Sequence, residues 1–219
     1  MIAENILLLS EKIPSNVQLV AVSKTKPNEL LMEAYDHGQR HFGENKVQEL
    51  VSKQENLPHD ISWHFIGHLQ RNKVKYIASF VHLIHGVESL KLLKEINKQG
   101  QKNNRIINVL LQFHIADEET KFGLDQSEAL ELLKSEEFRN MQNIRICGVM
   151  GMATFTDDEN QVRLEFKKLN QIFKELKASQ FSGSDEFEII SMGMSGDWKI
   201  AVEEGSTMIR VGSSIFGVR

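Results

Sequence analysis

Eight short apolar runs, each followed by a stretch with helical spacing, set the tightest limit on what this chain can fold into. The runs cover residues 17–24, 41–45, 62–67, 83–88, 107–115, 144–153, 187–193 and 208–216. Several are almost continuously apolar, as strands buried on both faces must be. Between them, Leu30, Leu31, Ala34 and Tyr35 form an apolar stripe opened by Pro27 and closed by Gly38. Helix-like stretches also cover 89–99, 126–135, 158–179 and 195–203, and an opening helix over 2–12 ends near Pro14. Strict alternation of this kind builds a parallel sheet, either open and doubly wound or closed into a barrel. An open dinucleotide-binding sheet carries a glycine-rich turn after its first strand. Here that turn is Ser23-Lys24-Thr25-Lys26-Pro27, without a glycine. Eight repeats across the chain favour the closed form, an α/β fold with one (β/α)8 TIM barrel domain over 1–219 and an extra N-terminal helix.

Composition excludes several classes of function. A net charge of −4 over 219 residues gives no global positive field for nucleic acid. No apolar run reaches membrane-spanning length, and acidic Glu4 stands where a signal peptide carries lysines. The one cysteine, Cys147, excludes an internal disulfide and reads as inert in an apolar strand. The expectation is a cytoplasmic protein. With no obvious apolar patch or second domain, a monomer is expected.

In such a barrel the site lies at the C-terminal ends of the strands, with phosphate often held after strands seven and eight. After run seven comes Met192-Gly193-Met194-Ser195-Gly196-Asp197, and after Arg210 comes Val211-Gly212-Ser213-Ser214. Both combine glycine, which lets backbone amides approach an anion, with hydroxyl donors. Either alone reads as a tight turn with a capping serine; the pair in register points to phosphate. Lys24 ends run one on the face of Val20 and Val22, aimed at the barrel mouth. Loss of solvent there favours the neutral amine that attacks an aldehyde; the alternative is a lysine exposed in a loop. Lys26 is a rival, better placed at the solvated helix entrance.

Arg210, between Ile209 and Val211, needs a partner or an aqueous opening. Glu44 is one partner. A pyridine nitrogen is another, and a guanidinium that can only donate would keep that nitrogen unprotonated and the ring a poor electron sink. Asn45 reaches a ligand or caps a helix. The four-residue spacing of His64 and His68 crosses Gly67 rather than a helix face, so no metal is expected there. Trp63, His64 and Phe65 read as packing combined with a rim of the site, and residues 157–159 as a solvated helix start.

Several motifs are recognisable together. Val22-Ser23-Lys24-Thr25-Lys26-Pro27, Phe42-Gly43-Glu44-Asn45, Trp63-His64-Phe65-Ile66-Gly67 and Leu69-Gln70 with Asn72-Lys73 resemble the pyridoxal phosphate homeostasis protein family. So do Gly148-Val149-Met150 with Met152-Ala153, Met192-Gly193-Met194-Ser195 with Asp197, and Ile209-Arg210-Val211-Gly212 with Phe216-Gly217. The resemblance implies a barrel similar to the alanine racemase N-terminal domain, with pyridoxal 5′-phosphate (PLP) as a Schiff base on Lys24. It further implies phosphate contacts from Ser195, Gly212 and Ser213, a pyridine-nitrogen contact from Arg210, and Asn45 near the cofactor. Lys46 departs from the tyrosine common in the family, and Ser213 from threonine. The implied role is vitamin B6 homeostasis, buffering PLP or delivering it to PLP-dependent apoenzymes, without catalytic residues. The competing reading is a PLP enzyme such as a weak amino acid racemase. That chemistry needs acid/base groups on both faces of the substrate carbon, and Tyr35 and Tyr76 both fall on predicted outer helices. A barrel binding a sugar phosphate at Lys24 comes third.

Overall fold

The computed structural model describes residues 2–117 and 122–217. Eight parallel strands close into a barrel in chain order: β1 (Gln18–Val22), β2 (His41–Glu44), β3 (Ser62–Phe65), β4 (Leu83–Val87), β5 (Ile107–Gln112), β6 (Ile144–Met150), β7 (Ile189–Ser191) and β8 (Met208–Val211). Around them run α1 (Ile2–Ser10), α2 (Asn28–Asp36), α3 (Val47–Asn56), α4 (Val74–Ile77), α5 (Leu90–Lys102), α6 (Gln126–Lys134), α7 (Glu136–Arg139), α8 (Glu159–Ala178), α9 (Trp198–Glu203) and α10 (Ser213–Phe216). The barrel expectation holds.

Helix ends follow local chemistry. Pro27 caps α2 at φ −70°, and Gly38 leaves it at φ +91°, which glycine adopts without a Cβ clash. Ser89 accepts from the Leu92 amide at the start of α5, and Asp125 with Glu128 closes a capping box on α6. At α8, Asp158 accepts from the amides of Asn160 and Gln161, so the acidic helix start read at 157–159 is real.

Two apolar layers hold the barrel. The larger lies between strands and helices and includes Phe42, Trp63, Phe65, Ile84, Val109 and Phe166. The smaller fills the interior with Val20, Leu83, Leu110, Cys147, Met150 and Met208. The β5–β6 register skips a residue at Cys147, pairing Val109 with Ile146 and then Leu110 with Gly148. Gly148 sits at φ +153°, where a Cβ would lie 1.9 Å from the Ile189 carbonyl oxygen.

Strands stop earlier than the apolar runs do. The run at 17–24 ends as β1 at Val22, and that at 208–216 ends as β8 at Val211, with 213–216 turning into α10. Ile215 and Phe216 are buried from a helical turn, and continuous apolarity cannot separate that from a strand. Trp63 and Phe65 belong to the layer beneath the helices, not to a rim, because their side chains point opposite to inward-facing His64.

Candidate functional site

The turn after β1 is fixed by its neighbours. Ser23 donates from its amide to the Gly43 carbonyl (3.0 Å) and from Oγ to Glu44 Oε1 (2.6 Å). Lys53 Nζ, from α3, donates to the Ser23 carbonyl (2.8 Å), to Glu44 Oε1 (2.7 Å) and to Glu49 Oε1 (2.7 Å). Glu49 Oε1 also accepts from the Thr25 amide (2.6 Å). Thr25 is held at φ +64°, a conformation that β-branched residues seldom adopt and that these bonds maintain. Burial pushes the Glu44 carboxyl above its ordinary range, against the opposing hydrogen bonds from Lys53 and Ser23. Glu44 Oε2 is buried without a partner among the described residues.

Lys24 sits in the middle of this turn, half-buried, and its side chain bonds no described residue. Two residues before it is Val22, against whose carbonyl Gly212 packs so closely that a Cβ there would approach to 3.1 Å. The rival Lys26 is committed elsewhere. Its Nζ donates to the carbonyls of Phe216 (3.2 Å) and Gly217 (3.0 Å), clasping the end of α10.

Arg210 is buried in β8, paired in register with Val20 of β1. Glu44 is not its partner: that carboxylate is taken by Lys53 and Ser23 from the α3 side. Instead Nη1 donates to Ser191 Oγ (2.6 Å) and Nη2 to the Gly151 carbonyl (3.2 Å). Burial lowers the guanidinium to about 10, partly offset by Asp197, so it stays charged at neutral pH.

From Ser191 a polar chain crosses the barrel. Ser191 Oγ lies 3.0 Å from His85 Nδ1, His85 Nε2 lies 2.9 Å from His64 Nδ1, and His64 Nε2 lies 2.9 Å from His41 Nδ1. Burial first, and neighbouring charges second, hold His64 and His85 well below the usual histidine range, so both are neutral at pH 7. Arg210 can only donate, so Ser191 Oγ accepts from it. Two settings of the neutral rings fit: Ser191 donates to His85 Nδ1 and each ring donates onward through Nε2, or each ring donates through Nδ1 back towards Ser191. Sequence reasoning missed Ser191 and His85. Their signal is a lone polar residue inside an apolar run, recurring at 64, 85, 191 and 210.

The two predicted anion loops meet. The Gly212 amide donates to Ser195 Oγ (3.1 Å), leaving the Ser195 hydroxyl proton free. Gly193 at φ +95° lets its loop fold onto α9, where a Cβ would fall 2.6 Å from that of Ala201. Asp197 Oδ1 accepts from the Met194 amide (2.5 Å). Among the described residues, the amides of Ser195, Gly196, Ser213 and Ser214 have no acceptor. Neither α9 nor α10 has a side-chain cap, so the capping-serine alternative fails. Four unpaired amides and exposed hydroxyls at Ser213 and Ser214 fit an anion such as a phosphate ester. Asn45 is half-buried beyond β2, with the Gly67 backbone pressed against it. It does not cap α3; that position is Lys46, without a side-chain bond.

The remaining candidates lie apart. His68 is exposed and pairs with Glu88 (3.0 Å), away from buried His64. Burial raises the Cys147 thiol to about 11, an unreactive state. Tyr35 donates to Asp60 on the outside of α2, and Tyr76 is exposed on α4, so neither approaches Lys24. Phe122, Met152, Phe155 and Met194 are exposed, in the segments that follow β5, β6 and β7.

Comparison with known proteins places the chain in a family. The family described as "Alanine racemase, N-terminal domain" matches residues 1–219. The pyridoxal phosphate homeostasis protein of Vibrio alginolyticus is 41% identical over 214 residues, 95% of this chain and 89% of that protein. Its human counterpart is 40% identical over 212 residues, 92% of this chain and 76% of that protein. The solved structure of PipY from Synechococcus elongatus with PLP bound superposes at a TM-score of 0.89 with 35% identity, covering 99% of this chain and all (100%) of that one. Alanine racemase from Bartonella henselae shares the barrel alone, at 18% identity and a TM-score of 0.75 over 99% of this chain and 58% of that one. On sequence and fold together, the chain belongs to the pyridoxal phosphate homeostasis protein family.

Proposed function

We propose that this protein holds PLP on Lys24 and acts in vitamin B6 homeostasis as a carrier or buffer, with no turnover of its own. The observation that carries the reading is the convergence, at the β1–β8 edge of the barrel mouth, of three complementary groups. A braced lysine and a cradle of amides, both without a partner among the described residues, sit with a buried guanidinium on adjoining segments. Bound there, PLP supplies an aldehyde that condenses reversibly with an amine. Lys24 provides that amine. Ser195, Gly212 and Ser213 surround the phosphate, with the amides of Gly196 and Ser214. Arg210 donates towards the ring nitrogen and Asn45 flanks the ring. Since Arg210 offers no proton acceptor and both tyrosines lie outside, the site holds a cofactor without the groups that would turn a substrate over.

The recipients in this reading are PLP-dependent apoenzymes, and the exposed Phe122, Met152, Phe155 and Met194 offer them an apolar contact near the mouth. We further propose a cytoplasmic, monomeric protein of one domain; no described helix is long and apolar enough to cross a membrane. The test is a transfer assay. Protein loaded with PLP is expected to reactivate a cofactor-free enzyme faster than spontaneous release allows, and borohydride is expected to fix an adduct on Lys24. Transfer no faster than free release would sink delivery. Amino-acid turnover that disappears in Lys24→Ala would establish a catalyst instead.

A further inference from the structure

Three histidines converge at the N-terminal end of the barrel, opposite Lys24. His41 opens β2, His64 lies within β3, and His82 directly precedes β4. One ring nitrogen from each lies within 4.8 Å of the others. His64 is fully buried, His41 half-buried and His82 exposed, so the cluster runs from the interior to solvent. The ring centroids of His82 lie 5.5 Å from His41 and 5.2 Å from His64. His41 and His64 share a hydrogen bond, whereas among the described residues the His82 imidazole has ring contacts only. Burial depresses all three, His41 to about 4, which leaves them in the neutral form that ligates metals.

We propose that His41, His64 and His82 form a binding site for a borderline divalent cation of the Zn2+ class. Three imidazoles favour such ions over Mg2+ or Ca2+, which take oxygen ligands. Nitrogens at the usual tetrahedral bond length stand roughly 3.3 Å apart, so closing the site needs a swing of the exposed His82 ring. The fourth position faces solvent and takes water. A cation on His64 Nε2 leaves the proton on Nδ1, which then donates to His85 Nε2, the kind of outer partner that orients a ligating ring. The cluster contains no carboxylate, and the Arg105 guanidinium acts on His82 with like charge. The site is therefore an exchangeable one, weaker than a closed structural zinc centre.

The test uses the full chain stripped with chelator and needs no PLP, so its failure leaves the proposed function standing. Calorimetric titration with Zn2+ is expected to show one equivalent bound, with Mg2+ inert. His82→Ala and His82→Gln, both at an exposed position, are expected to weaken Zn2+ by more than about tenfold. His68→Ala is expected to leave it unchanged. Co2+ should broaden the ring resonances of His41, His64 and His82 together. Absence of stoichiometric binding would overturn the site, as would binding indifferent to both His82 variants or one that His68→Ala abolishes.

Discussion

At the residue scale, the proposed function rests on two cationic side chains, one without a hydrogen-bond partner among the described residues and one buried and held by Ser191 and Gly151. Lys24 is the first, and Lys24→Ala is expected to lose the borohydride-fixed adduct while the far-UV circular dichroism stays unchanged. Retention of the adduct would show that another amine does the work. Arg210 is the second. In the proposed site, Arg210→Glu would replace a donor by an acceptor beside the ring nitrogen, so the absorbance of the loaded protein should move towards the protonated ring. An unmoved spectrum would remove Arg210 from the ring. Motif and register single out Lys24, Asn45, Ser195, Gly212, Ser213 and Arg210 as candidates; in the fold Arg210 lies in β8, Ser213 opens α10, and the other four follow β1, β2, β7 and β8. Ser191 and His85 are not singled out. A polar residue in an apolar run looks the same whether it faces a helix or the lumen, and only the closed barrel shows that these meet.

Elements supply the rigidity those residues need. Lys53, from α3, ties β1 to β2 through Glu44, and both side chains are buried. Lys53→Met strands a buried carboxylate and should cost about 3–5 kcal/mol in urea unfolding, most of it recovered when Glu44→Leu is added. A loss under 1 kcal/mol would mean that water already reaches the pair. At the β6–β7 junction, Gly148→Ala would drive a methyl into the Ile189 carbonyl and should abolish soluble folded protein. The alternation of strands and helices was readable because buried parallel strands are apolar throughout. Where each strand ends was not, since apolar runs continue into turns: α10 hides behind Ile215 and Phe216.

For the whole molecule, the buried histidines couple stability to pH. His64 and His85 stay neutral well below the usual histidine range when folded, whereas the unfolded chain protonates them near pH 6.5. Their depressed values mean that the unfolded state binds more protons, so this stability is present above about pH 6.5 and drains away on acidification. Two such groups contribute about 2.7 kcal/mol per pH unit below that point. Urea melts of chelator-treated protein between pH 7 and 5 should show this slope, and His85→Gln should flatten it by about 1.4 kcal/mol per unit. Equal slopes for the two proteins would place His85 in contact with water.

The chain from Arg210 to His41 also has an arithmetic of its own. Each ring owns one proton and has two neighbours, so a single reversed ring sets two protons, or two lone pairs, face to face. The series therefore has only two fault-free settings, all forward or all backward, and Ser191, whose oxygen can accept twice, tolerates either. A cation on His64 Nε2 would demand the backward setting of His64 and His85. Without any movement of the backbone, an ion at one mouth of the barrel would then decide whether Ser191 gives or takes a hydrogen at the other.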